Sequence, residues 1–199
     1  SEQVLTRALP WAMADNGRPL PFAAFIFIGL GKLYRERNEL DKAEAYLEQA
    51  LELGRLIDMA GILIDGQMTL GLLEMGRGAY TAALAYLDQA EQILRQLNDE
   101  TNIMRVGAFQ AWLALAQGDH EAAVRWAKRH QLTIEDDLNE GVEIEYLTLV
   151  RILLAEKQPN AALMLLDRLQ QPIRQERRIS RLIETLVLQG LAYQQTGAE

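Results

Sequence analysis

Four cations, Lys32, Arg35, Arg105 and Arg151, stand at helical spacing among apolar and aromatic side chains, and they are the residues best suited to hold a ligand or a partner. Their companions fall at steps of three and four: Phe25 and Ile28 with Lys32 and Arg35, then Asp65, Met68, Leu72 and Met75. Arg105, Ala108, Trp112 and Leu115 follow, and after them Ile144, Leu147, Arg151 and Leu154. Those steps put each set on one stripe of a helix. Apolar and aromatic surface interrupted by a few positive charges suits a small polar ligand stacked on a ring, or a partner helix that carries acids. Lys32, Arg35, Met68, Leu72, Arg105, Trp112 and Arg151 are therefore the candidate binding residues. The plainer account is that Leu72, Leu147 and Trp112 pack against neighbouring repeats and that the cations tether acidic helix ends.

The elements that would carry these stripes repeat. Leu30, Gly31 and Tyr34 precede a turn, and Ala43, Leu47 and Ala50 follow it at steps of four and three, which predicts two antiparallel helices brought close by the small residues. The same offsets return about forty residues on at Leu70, Gly71, Gly78, Ala83, Leu87 and Ala90. A third copy has Ala111, Gly118, Ala123 and Ala127, with His130 in place of the last alanine. A fourth, slipped by one residue, has Val150, Pro159, Ala162, Leu166 and Leu169, and a fifth stops after Gly190, Tyr193 and Gly197. A helical hairpin cannot bury both faces alone, so the pattern predicts an all-α, right-handed superhelical solenoid of stacked antiparallel helix pairs over residues 1–199, a single domain. The expected helices run from Gln3 to about Ala14, Phe22 to about Arg37, Asp41 to about Ile57, Met59 to Met75 and Tyr80 to Leu97. They continue from about Glu100 to Gln117, Glu121 to Gln131, Val142 to Lys157 and Asn160 to Gln171, with Pro172 introducing a last helix to about Thr196. Asp41 and Glu44 read as a capping box, and Gly61, Gly66 and Gly71 as points of close helix packing.

The positions of Gly31, Tyr34, Ala43, Leu47 and Ala50 resemble the small and large positions of a tetratricopeptide repeat with a lengthened period. More narrowly, the run of four such hairpins resembles the helical-repeat region of the MalT-like, large ATP-dependent LuxR-type transcription regulators. The resemblance implies a parent with an ATP-binding switch domain toward the amino end and a helix-turn-helix domain toward the carboxyl end. It also implies a noncatalytic module that takes part in inducer recognition and self-association, in the cytoplasm. The expected partners are thus a small-molecule inducer or a protein, other domains of the parent and further copies of the chain. A tetratricopeptide adaptor that binds peptides without signalling is the alternative; Lys32 and Arg35 suit it, whereas Ile28 and Met68 stand where polar clamp residues would be expected.

The remaining features narrow the chemistry. A formal net charge of -8 argues against direct nucleic-acid contact by this segment, and no apolar run approaches the roughly twenty residues that span a bilayer. Absence of cysteine excludes disulfides and thiol catalysis. Gly29 with Gly31, and Gly76 with Gly78, lack the rest of a dinucleotide fingerprint, and no phosphate-binding loop occurs, so no cofactor is expected in this segment. The acidic stretch Leu132 to Gly141, with Glu135, Asp136, Asp137 and Glu140, lacks the glycine position of an EF-hand and reads as a solvated loop. His120 and His130 have no partner histidine at helical spacing, and Ser1 and Ser180, the only serines, have no adjacent base, so no metal and no enzyme are expected. Arg168, Arg174, Arg177, Arg178 and Arg181, with Glu176 and Glu184 among them, read as a solvated face with internal ion pairs. The chain opens without an initiator methionine and inside a repeat, as expected of a fragment of a longer protein.

Overall fold

The hairpin turns close in one shared way. In a computed structural model, which describes residues 2–138, 141–175 and 179–197, left-handed backbone recurs at Asn38, Asp58, Gly78, Asn98 and Gly118, at intervals of 20 residues, and again at Lys157 and Gly197. After most of these residues the next N–H reaches back five positions, as from Glu39 to Tyr34 O (2.9 Å), Ala79 to Glu74 O (2.9 Å) and Gln158 to Leu153 O (2.8 Å). This satisfies carbonyls the helix end leaves unpaired. Glycine, asparagine and aspartate adopt that conformation readily, whereas lysine does so at a steric cost. Lys157→Gly is therefore expected to stabilise the chain by about 0.5–1 kcal/mol, read as an upward shift in chemical-denaturation midpoint.

Between these closures lie the helices. Those of the first half are α1 (Glu2–Ala8), α2 (Ala23–Glu36), α3 (Leu40–Leu56), α4 (Ala60–Arg77) and α5 (Tyr80–Leu97). They are followed by α6 (Glu100–Ala116), α7 (His120–Arg129), α8 (Glu143–Ala155), α9 (Pro159–Gln175) and α10 (Ile179–Thr196). Pro10 ends α1 and the chain continues as a 3-10 turn, Leu9–Ala12. The architecture is an all-α helical-repeat fold, and among the described residues no helix is long and apolar enough to cross a membrane.

The chain divides into two compact units, Ser1–Ile103 and Met104–Glu199. In the first, α2 pairs with α3, α4 pairs with α5, and α3 packs on α4. A methyl group on Gly31 would lie 2.5 Å from Leu47 Cγ, and one on Gly71 would lie 3.0 Å from Leu87 Cγ, so glycine at these positions lets the paired backbones approach. Gly66 does the same against Leu51 (2.6 Å to Cδ2), but nothing lies within 4 Å of a methyl on Gly61, which plays no part in packing. In the second unit α8 pairs with α9, α9 with α10, and α7 lies against α8. Its core gathers Leu147, Val150, Leu165, Leu166 and Leu169, all buried.

Three local expectations are corrected. The capping residue of α3 is Glu39, not Asp41, and it makes no side-chain cap. Asp41 and Glu44 instead receive Arg77, at 2.9 and 2.8 Å, so charge pairing to the next helix has taken the place of capping. Pro172 lies inside α9, which continues to Gln175. Leu169 and Ile173, one turn apart and both buried, hold that segment on the core despite the missing N–H. The stretch after Gln131 is more than a solvated loop: Leu132, Ile134 and Leu138 pack against the second core. Asp136 accepts from Thr133 N–H (2.8 Å), Thr133 Oγ1 (2.7 Å) and Tyr146 Oη (2.9 Å), while Arg168 donates to the carbonyls of Ile134 and Asp136. Hydrogen bonding by Thr133 holds the Asp136 carboxyl below the usual range, and burial with Asp136 as acceptor pushes the Tyr146 phenol up to about 12. Glu140, Glu176, Arg177 and Arg178 lie outside the described residues.

Candidate functional site

Two of the stripe cations face the first helix of the next pair. Lys32 on α2 reaches Asp65 on α4, Nζ to Oδ2 2.9 Å, and both side chains are about half exposed. Arg151 on α8 reaches Glu184 on α10, Nη2 to Oε1 2.5 Å. Both pairs are separated by 33 residues, so the same register puts an acid near the start of one helix beside a cation two helices earlier. Exposure separates their worth. A half-exposed pair such as Lys32–Asp65 contributes little, whereas the Arg151 side chain is only 14% exposed.

Around Arg151 the second unit builds its most organised polar group. The guanidinium carbon sits 4.0 Å from the ring centroid of Trp112, within the range of a cation stacked on an aromatic face. Arg151 Nη1 donates to Leu147 O on its own helix (3.1 Å), and Arg181 Nη1 donates to the second oxygen of Glu184 (2.7 Å). Burial pushes the Glu184 carboxyl up, but the charges of Arg151 and Arg181 more than reverse this and hold it below the usual carboxylate range. The result is a flat cation fixed between an indole and an ionised carboxylate. It could exchange that carboxylate for an anionic group of a ligand without losing its platform.

Arg105, on α6, lies in the same unit with a different role. Its Nη2 donates to Gly141 O (2.7 Å), and its Nε is 3.5 Å from Glu145 Oε1, a charge contact too long for a hydrogen bond. The Glu145 side chain is 1% exposed, and burial pushes its carboxyl up. Arg105 therefore serves as counter-charge to a buried acid and pins the end of the loop before α8.

The remaining candidates lie in the first unit. Arg35 on α2 is half-buried near the end of the helix, and Met68 and Leu72 on α4 are half-buried one turn apart. The structure thus joins Trp112 to Arg151 in one unit and Lys32 to the α4 stripe in the other, through Asp65. Sequence spacing names the cations but misses Glu184, Glu145 and Arg181 as their partners. For Lys32 and Arg151 the signal available is an acid 33 residues on; nothing comparable marks Glu145 or Arg181.

Comparison with known proteins agrees with this architecture. The MalT-like TPR region family matches residues 1–199. Among solved structures the chain is similar to a signal transduction ATPase with numerous domains, carrying a tetratricopeptide repeat sensor, from Pyrococcus horikoshii. The two share 18% identity with a TM-score of 0.61, over 96% of this chain and 29% of that one. The chain therefore spans less than a third of that protein's length, and the likeness is one of fold. No curated protein matches the sequence.

Proposed function

Because the chain belongs to the MalT-like TPR region family, we propose that it is a noncatalytic ligand-sensing and self-association module of a LuxR-type, MalT-like transcription regulator acting in the cytoplasm. Its partners would be a small-molecule inducer, the other domains of its parent and further copies of itself. ATP and DNA would be held by those other domains, consistent with a net charge of -8 here. The similar Pyrococcus protein is described as a signal transduction ATPase whose tetratricopeptide repeats form the sensor, which supports the same division of labour.

The observation that carries the proposal is Arg151, stacked 4.0 Å from Trp112 and shared with Glu184 at 2.5 Å. An inducer with a polar or anionic group would stack on Trp112 and compete for Arg151. Since Glu184 belongs to α10 and Arg151 to α8, such competition changes how two repeats are tied. A ligand that binds one arrangement more tightly shifts the equilibrium toward it by that difference in affinity.

The test is a thermal-unfolding screen against sugars, amino acids, nucleotides and short acidic peptides. A true inducer at ~100 times its dissociation constant adds about 2.7 kcal/mol of stability, a midpoint rise of roughly 5–11 °C. Trp112→Ala and Arg151→Ala are expected to abolish the rise, and a rise that persists in both variants would overturn the placement of the site. The peptide-adaptor alternative has less support, because Ile28 and Met68 stand where polar clamp residues would be expected. Response to acidic peptides alone, lost in Lys32→Ala and Arg35→Ala, would favour it.

A further inference from the structure

The first unit contains a cleft of about 540 Å³ that shares no residue with the cation stripe. Leu9 and Met13, around the 3-10 turn, form one wall, and Phe27 and Tyr34 of α2 form the floor. The opposite wall is one face of α3, where Lys42, Ala45, Tyr46 and Gln49 recur at helical steps. At 1.5 Å per residue, Lys42 and Gln49 mark the two ends of a slot roughly 10 Å long.

The lining is aromatic in the middle and polar at the ends. The rings of Tyr34 and Tyr46 are stacked, with centroids 5.6 Å apart and planes within 4°, and Phe27 is tilted 34° to Tyr46 at 6.0 Å. Lys42 Nζ stands 5.3 Å from the Tyr34 centroid. At the far end Gln49 Nε2 donates to Ala45 O (3.0 Å), which leaves its Oε1 to accept a hydrogen bond.

Repeat packing does not demand this lining. About forty residues on, the positions of Phe27 and Tyr34 are taken by Gln67 and Glu74, while Tyr46 and Gln49 recur as Tyr86 and Gln89. There Gln67 donates to Gln89 at 2.8 Å and Arg77 binds Glu74 at 2.7 Å, so polar side chains occupy the two positions where the first repeat has the rings of Phe27 and Tyr34. The charges at the rim are also informative. Glu2 is engaged by Arg37 (2.5 Å) and Tyr34 (2.9 Å). Lys42, itself exposed, pairs with its half-buried neighbour Glu39 (2.6 Å), an i, i+3 ion pair that is cheap to exchange.

We infer that this cleft binds a flat aryl carboxylate. The ring lies against Tyr46 and Phe27, the carboxylate takes the place of Glu39 on Lys42 Nζ, and a hydroxyl or amino group at the opposite end donates to Gln49 Oε1. Pockets of this size and character, apolar with a few converging polar groups, are those that hold small molecules.

The test is calorimetric titration of the full chain with para-hydroxycinnamate, which has the required ring, carboxylate and distal hydroxyl. Saturable binding at one site is expected. Lys42→Met should weaken it about tenfold, the worth of a hydrogen bond to a charged group. Ala45→Trp, at an exposed position, should abolish it by filling the slot, with helicity and melting behaviour of both variants compared by circular dichroism. The neutral alcohol analogue should bind as weakly as the acid binds Lys42→Met. Absence of saturable binding up to about 10 mM, or binding indifferent to both substitutions, overturns the inference. Binding lost in Trp112→Ala but kept in Ala45→Trp would also overturn it, while leaving the stripe site of the proposed function intact.

Discussion

Replacing Gly31 with alanine is expected to lower the unfolding midpoint of the first unit, and replacing Gly61 with alanine to raise it. Both glycines are helical, and on intrinsic propensity alone each substitution should gain up to about 1 kcal/mol. Their surroundings reverse the sign at Gly31. The added methyl would sit 2.5 Å from Leu47 Cγ, 2.6 Å from its Cδ2 and 3.3 Å from Ala43 O. Leu47 is fully buried between helices, so it cannot swing away without disturbing α2 and α3 together. Overpacking of this kind costs about 1–3 kcal/mol, which outweighs the propensity gain. At Gly61 nothing lies within 4 Å, so the gain stands uncorrected. With roughly 2–4 °C per kcal/mol for a chain of this size, the two variants should melt on opposite sides of the parent in a calorimetric scan. Equal shifts of either sign would mean that Leu47 repacks freely and that the Gly31 contact does not set the helix separation.

The contrast between these two glycines marks how far residue spacing alone reveals the fold. Gly31, Ala43 and Leu47 recur at fixed offsets because close approach of two helices constrains residue size directly, and size is visible in a sequence. The repeat, its period, the pairing of helices and most of the core follow from this. Gly61 misleads because helical spacing identifies a face only relative to its neighbours, and its neighbour is solvent. The misplaced start of α3 has a related cause. Asp41 and Glu44 have the spacing of a capping box, but Arg77, on a helix 33 to 36 residues away, makes a better partner for both than the backbone does.

The candidate site is legible in one half only. A cation on an apolar stripe is visible in sequence, whereas its partner is set by the stagger between two helices. Lys32 with Asp65 and Arg151 with Glu184 follow one stagger, yet they differ in exposure and so in consequence. The aromatic cleft escapes sequence reading for another reason. Phe27, Tyr34 and Tyr46 belong to two helices and to an inner register, so none lies on the stripe, and the wall formed by Leu9 and Met13 depends on where Pro10 ends α1.

Removing the Arg105 guanidinium is expected to be the most destabilising change among the stripe cations, and its cost should depend on pH. Glu145 is buried with neither oxygen hydrogen-bonded to another side chain, and Arg105 is its nearest counter-charge, at 3.5 Å. Arg105→Met leaves that carboxylate uncompensated, a loss of about 3 kcal/mol at neutral pH, toward the low end of the range for buried pairs because Arg105 itself is 29% exposed. Burial already raises the Glu145 carboxyl above its unfolded value, opposed by Arg105. The folded state thus holds this proton more tightly than the unfolded state, so the contribution of Glu145 to stability is fully present below the unfolded carboxyl range and is lost as pH rises through the folded value. Without Arg105 the folded value rises further, so the deficit of Arg105→Met should grow with pH and shrink in acid. Glu145→Gln, which cannot ionise, should lack this component and gain on the parent as pH increases. Urea-denaturation free energies measured from acid to neutral pH would decide it. Parallel curves for the parent and both variants would mean that Glu145 does not titrate within the fold, and that Arg105 acts on the loop before α8, where it binds Gly141 O, and not on the buried acid.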